Sequence, residues 1–188
     1  MIREITPENY KNVDKDFYSD KYIKIFLAGT IDDGESENWQ DKLIYSLDWY
    51  WWSPDSEEDS GFDYALGASD DEDIVIFNPR RENWDPNSSD EEIIEQIHWE
   101  EDHLDKADLI VMFLADDSKS PVSLLELGLY GPSGKMLVCC TNKFYRYNNV
   151  KCTCQKYGID LLESNNFSDI CDEIALIYNQ IYPVKPLK

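Results

Sequence analysis

One residue stands out as placed for chemistry. Glu126 lies in the run Ser120-Pro-Val-Ser-Leu-Leu-Glu-Leu-Gly-Leu-Tyr-Gly131. Ser120-Pro121 reads as a helix start, with serine as the cap and proline at the first helical position. Glu126 then falls about two turns in, on an otherwise apolar turn of Leu124, Leu125 and Leu127. Burial there costs an ionised carboxylate several kcal/mol unless it is paired. Ser123-x-x-Glu126 also has the form of a capping box. The start at Ser120-Pro121 puts Glu126 past the box position. A catalytic carboxylate and a capping or surface one are both open readings.

Glu100 is the second acid. It borders a helical stripe of Ile93, Ile97 and Leu104, with Gln96 at i−4 and His103 at i+3 on the same polar edge. Two carboxylates divide labour when one is ionised and the other protonated. At the anomeric carbon of a sugar, one attacks or stabilises positive charge while the other assists the leaving group. Arg80-Arg81, the only such pair in the chain, follows a strand and is suited to hold a phosphate or carbonyl, or to pair with nearby acids. Phe26 and Trp84 are suited to stack on a planar base, or to pack in the core. Gly29-Thr30 is too short for a phosphate loop, and no dinucleotide, Walker or nucleophile-elbow motif is present.

The elements that would position these residues alternate. Strands are expected at Tyr22–Ala28, Asp73–Phe77, Asp108–Leu114, Lys135–Cys140 and Ile159–Leu162. Helices are expected over 38–50, 90–106, 121–130, 147–156 and 169–182. Such alternation predicts an α/β fold with a doubly wound parallel five-stranded sheet and helices on both faces. Ligands bind such sheets beyond the carboxyl ends of the strands, where strand order reverses. Residues 1–20 lack a sustained period and read as an N-terminal arm or a short docked segment. Residues 21–188 read as a single domain.

The 188 residues carry 39 acidic and 17 basic side chains, a net charge of −22. That field repels nucleic-acid backbones and acidic membranes, so neither is an expected partner. Nine acids and no base lie between Asp55 and Asp73, inside an acidic insertion at about 53–73. It reads as a solvated loop or as a phosphate-mimicking surface for a basic protein. The N-terminus lacks the apolar core of a signal peptide, and no apolar run reaches membrane-span length. A cytoplasmic protein with reduced thiols at Cys139, Cys140, Cys152, Cys154 and Cys171 is expected. No CxxC pair is present, and His98 and His103 point to different helix faces. Neither a metal nor a cofactor is expected.

Taken in order, several segments resemble the nucleoside 2-deoxyribosyltransferase-like family. They are Ile25–Ile31 with Asn38-Trp-Gln40, Phe77–Arg81 with Trp84-Asp85, Gln96–Glu100 with Leu104 and Ala107-Asp108, Pro121–Gly128 with Lys135, and Phe144–Val150. The resemblance spans roughly residues 22–182. It implies a flavodoxin-like sheet, a homo-oligomer, and cleavage of the N-glycosidic bond of a (deoxy)nucleoside or nucleotide. Glu126 matches the family's nucleophile, which attacks C1′, and water or a second base then takes the sugar. Glu100 matches an acid that handles protons at the base. Phe26, Gly29, Thr30, Arg80, Arg81, Trp84, Ser120 and Ser123 are expected to bind substrate. Phe26 replaces a tyrosine that orients the nucleophile, and Ser120 replaces an aspartate. These departures mark a divergent branch and favour cleavage over transfer between bases. A nucleotide- or signal-binding protein without turnover, and an acidic decoy, are the alternatives.

Overall fold

A computed structural model describes residues 2–31, 36–52, 74–81 and 88–181. Trp84 and the acidic insertion lie outside them, as does the decoy reading that rests on that insertion.

Six strands form one parallel sheet: β1 (Ile2–Ile5), β2 (Ile23–Gly29), β3 (Ile74–Phe77), β4 (Leu109–Leu114), β5 (Met136–Cys140) and β6 (Asp160–Leu162). Among the described residues five helices accompany it: α1 (Trp39–Trp52), α2 (Asp90–Lys106), α3 (Pro121–Tyr130), α4 (Tyr147–Tyr157) and α5 (Phe167–Ile181). The strand order is β1-β3-β2-β4-β5-β6. Without β1 this is the doubly wound flavodoxin-like order, and its direction reverses between β2 and β4.

The sixth strand corrects the expected count of five. Ile2–Ile5 pairs in parallel with β3, from Ile2 opposite Ile74 to Ile5 opposite Phe77. Only Ile5 of the four is buried, so the segment has no readable period. Charged Arg3 and Glu4 on a short edge strand also discourage pairing with other chains. The segment that follows folds into two 3₁₀ turns, Tyr10–Asn12 and Lys15–Tyr18, which pack toward α2.

The central strands β2 and β4 are apolar on both faces because helices cover both. Ile23, Ile25 and Leu27 join α1 and α5 through Trp39, Leu43, Ile170 and Ile174. Phe26 and Ala28 join the opposite core with Trp99, Leu104, Leu127 and Val150. Lys24 is buried on β2, and Asp108 accepts from both its Nζ, at 2.9 Å, and its backbone N–H, at 2.8 Å. Lys135 closes the end of α2 by donating to the Leu104, Asp105 and Ala107 carbonyls at 2.8–3.0 Å. A cation there satisfies carbonyls that the helix leaves open.

Helix α2 starts at a capping box, Ser89 with Glu92. Its buried face differs from the expected stripe. Trp99, His103 and Leu104 are buried, whereas Ile93 and Ile97 are exposed. No helix among the described residues is long and apolar enough to cross a membrane.

Candidate active site

A cleft of about 340 Å³ opens at the carboxyl ends of β2 and β3, beside α2 and α3. It lies at the reversal of strand order, where such sheets bind ligands. Its volume is at the lower end of the roughly 300–1,000 Å³ usual for small-molecule sites. Phe26, Ala28, Gly29 and Ile31 line it from β2, and Pro79 and Arg81 from beyond β3. Helix α2 supplies Ile93, Gln96, Ile97 and Glu100. Ser120 and α3 supply Pro121, Val122, Ser123 and Glu126. Both predicted acids therefore face one cavity.

The acids differ in their surroundings. Glu100 is half-buried, and its Oε1 accepts from Gln96 Nε2 at 2.8 Å. Burial raises the Glu100 pKa above the usual carboxylate value, against the Gln96 hydrogen bond and the Arg81 charge, which lower it. Glu126 is also half-buried, and among the described residues it accepts no hydrogen bond. Burial, followed by the nearby Glu100 charge, pushes its pKa up to about 8. Burial thus favours the protonated form of both acids, and more strongly that of Glu126, which lacks the Gln96 and Arg81 contributions.

Ser120 does not cap α3. Its backbone is left-handed, with φ 43°, and its side chain turns away from the helix N–H groups. Ser120 Oγ lies 2.7 Å from both Thr30 Oγ1 and Ser118 Oγ, and Thr30 and Ser118 are 2.9 Å apart. All three hydroxyls are buried. The Ala115 N–H donates to Thr30 Oγ1 at 3.0 Å, and Trp39 Nε1 donates to the Thr30 carbonyl at 2.7 Å. This cluster ties the end of β2 to the entry of α3 and holds the unusual Ser120 backbone. Ser123 is buried in the third position of α3, so it cannot cap a helix that begins at Pro121.

Gly29 allows the same junction. Its φ is 132°, and a Cβ there would stand 2.1 Å from the Phe113 carbonyl oxygen. Phe26 is buried against the Trp99 ring, with centroids 6.2 Å apart, and offers no hydroxyl to Glu126.

Two expected pocket residues fall outside the cleft. Thr30 sits behind Ser120 rather than on the wall. Arg80 turns to the start of α1, where it donates to Ser36 Oγ and the Ser36 and Glu37 carbonyls at 2.8–3.3 Å. Arg81 does line the cavity, with Nη2 donating to the Glu92 carbonyl at 3.3 Å. His103 leaves the Glu100 edge for the core: its Nδ1 meets the Trp99 carbonyl at 2.6 Å and its Nε2 the Tyr18 hydroxyl at 3.1 Å. Burial lowers its pKa to about 4, so it is neutral.

Gln96, placed by the sequence on the polar edge beside Glu100 but not among the expected site residues, also lines the cleft. Its position four residues before Glu100 was the available signal. Among the described residues, no group of His, Cys, Asp and Glu is arranged to hold a metal ion.

Residues 22–144 match a family of known proteins described as nucleoside 2-deoxyribosyltransferase like. The stretch contains every cleft residue from Phe26 to Glu126. It ends at Phe144, short of the Tyr145–Val150 segment included in the resemblance. No curated protein matches the chain.

Proposed function

The chain belongs to the nucleoside 2-deoxyribosyltransferase-like family, and we propose that it cleaves the N-glycosidic bond of a nucleoside through Glu126, with water as the acceptor. The observation that carries this reading is the pair of acids, Glu100 on α2 and Glu126 on α3, facing one small cleft. The pair can supply a nucleophile and a proton from opposite walls, as bond cleavage at an anomeric carbon requires. Glu126 attacks C1′ once it has given up its resting proton. Glu100 delivers a proton to the departing base. Water then opens the glycosyl ester, and Glu100 accepts its proton. The apolar walls, Phe26, Ile93 and Ile97 among them, suit the flat base.

Charge favours a nucleoside over a nucleotide. Arg81 is the one cation on the described cleft wall, and it faces two carboxylates. Lys143 lies 3.7 Å from Asp116, and Arg146 lies over the Tyr145 ring; neither lines the cleft. A substrate phosphate would therefore meet little compensating positive field.

The test is chromatography of a nucleoside and nucleotide panel incubated with wild type and with Glu126→Ala. Free base from wild type alone supports the reading. Free base from both proteins removes Glu126 from the mechanism. A second reading, ligand binding without turnover, draws on the missing tyrosine at Phe26 and the missing hydrogen bond to Glu126. Retained binding with no free base from either protein favours it.

We further read the chain as a homo-oligomer. Val122, Leu125 and Leu129 form an exposed apolar stripe on α3, and Ile93, Ile94 and Ile97 are exposed on α2. Val122, Ile93 and Ile97 also border the cleft. A second copy covering these faces would narrow the cleft mouth.

A further inference from the structure

Gln96 makes two hydrogen bonds with one atom. Its Nε2 donates to the Pro79 carbonyl at 3.3 Å and to Glu100 Oε1 at 2.8 Å. A backbone carbonyl only accepts, so the Gln96 atom facing it is the nitrogen. Turning the amide over would set its oxygen against both the carbonyl and the carboxylate. The amide orientation is therefore determined by Pro79, independently of the state of Glu100. Both hydrogens of Nε2 are then committed, one to each acceptor.

This has a consequence at Glu100. An oxygen that accepts from a fixed donor is a poor place for a proton, so a proton on Glu100 belongs on Oε2. We propose that Gln96 is a positioning residue: braced by Pro79, it keeps Glu100 Oε1 a permanent acceptor, so that Oε2 alone takes up and delivers the proton during turnover. The proposal rests on the N-glycosidase reading for its role and on the hydrogen bonds alone for its geometry.

The step balances. The acid pair enters with one proton, which passes from Glu126 to Glu100 Oε2 as substrate settles. A lone pair of the Glu126 carboxylate forms the bond to C1′. The C1′–N bonding pair leaves with the base, which takes the Oε2 proton. Glu126 is then a glycosyl ester, Glu100 is ionised, and the base departs neutral. The charged groups acting on Glu100 are Arg81 beyond β3, Glu101 on α2 and Glu126 on α3. The bond from Gln96 favours an ionised Glu100.

The variant is Gln96→Met, which keeps length and volume and removes the donor. Carbon-13 NMR of the glutamate carboxyl carbons across a pH titration reads both acids without requiring turnover, and its spectrum also reports folding. The Glu100 midpoint should rise by about one pH unit on loss of a charge-assisted hydrogen bond, and that of Glu126 should fall. An unmoved Glu100 midpoint in the folded variant overturns the proposal. The kinetic arm compares a purine nucleoside with its N7-methyl derivative, whose base leaves without a proton. Gln96→Met should slow the first roughly tenfold to hundredfold and leave the second nearly unchanged. Equal losses on both, or no loss on either, also overturn it. If wild type releases base from neither probe, the N-glycosidase reading fails, while the carboxyl titration still decides what Gln96 does to Glu100.

Discussion

Glu100 and Glu126 approach one cleft from different helices, and among the described residues only Glu100 has a hydrogen-bond donor beside it. The asymmetry favours protonation of Glu126 over Glu100. Two carboxylates sharing a small apolar space cannot both ionise cheaply. Gln96 and Arg81 favour the charged form of Glu100, and burial without a partner favours the neutral form of Glu126. Held as its acid, Glu126 would have to release its proton before acting as the proposed nucleophile.

This storage has a stability signature. A carboxyl with a folded pKa raised from 4.5 to about 8 stabilises the fold most below its unfolded pKa, and that contribution is lost as pH rises through the folded value. Wild type should thus lose roughly 1–3 kcal/mol between about pH 4.5 and 8 relative to Glu126→Gln. Thermal melts of both proteins across that range check it. A constant difference would contradict a protonated Glu126. The same variant should lower turnover by roughly 10³-fold or more.

Activity should fall on the alkaline side for the same reason. As pH rises through about 8 Glu126 loses its proton, the one that the proposed step sends to the base. A plot of log(kcat/KM) against pH for an ordinary nucleoside should bend downward near pH 8 and approach a slope of −1. An N7-methylated purine nucleoside should not show that bend.

The two arginines should separate. Arg80→Ala removes bonds to Ser36 and Glu37 at the start of α1. It should cost about 1–2 kcal/mol in a denaturant melt and leave KM within roughly twofold. Arg81→Ala, on the cleft wall, should raise KM severalfold with a smaller change in melting. The opposite pattern would reverse their roles.

Gly29→Ala should be among the most damaging single changes. The added methyl meets the Phe113 carbonyl, and the φ of 132° is one that alanine adopts only under strain. A loss of about 3 kcal/mol or more is expected by urea unfolding, or failure to accumulate as folded protein.

Leu125→Lys together with Leu129→Lys should yield a smaller species in sedimentation velocity if α3 is a subunit face. Both side chains are exposed, so the monomer fold should tolerate the change. An unchanged sedimentation coefficient would move the interface elsewhere or leave the protein monomeric.

Much of this architecture was legible in the linear chain. Among the described residues, strands β2 to β6 and helices α1 to α5 follow from apolar runs and helical spacing, and Ser120-Pro121 correctly marks the start of α3. Glu126 stood out because an acid among leucines is costly wherever that helix packs. Glu100, 26 residues earlier, was legible as a second acid from its place beside an apolar stripe, but that the two share one cleft was not. What only the tertiary structure decided depends on contacts between distant segments. Ile2–Ile5 becomes a strand because β3 leaves its edge unpaired, and nothing in four residues encodes that. Arg80 and Arg81 are adjacent and chemically equal, yet they turn to different sites because consecutive side chains diverge. Ser120 loses its capping role to Thr30 and Ser118, whose hydroxyls come from another strand end and the preceding loop. Residue type and spacing determined which groups could act; packing determined which of them share a cavity and which acid burial holds more strongly in its neutral form.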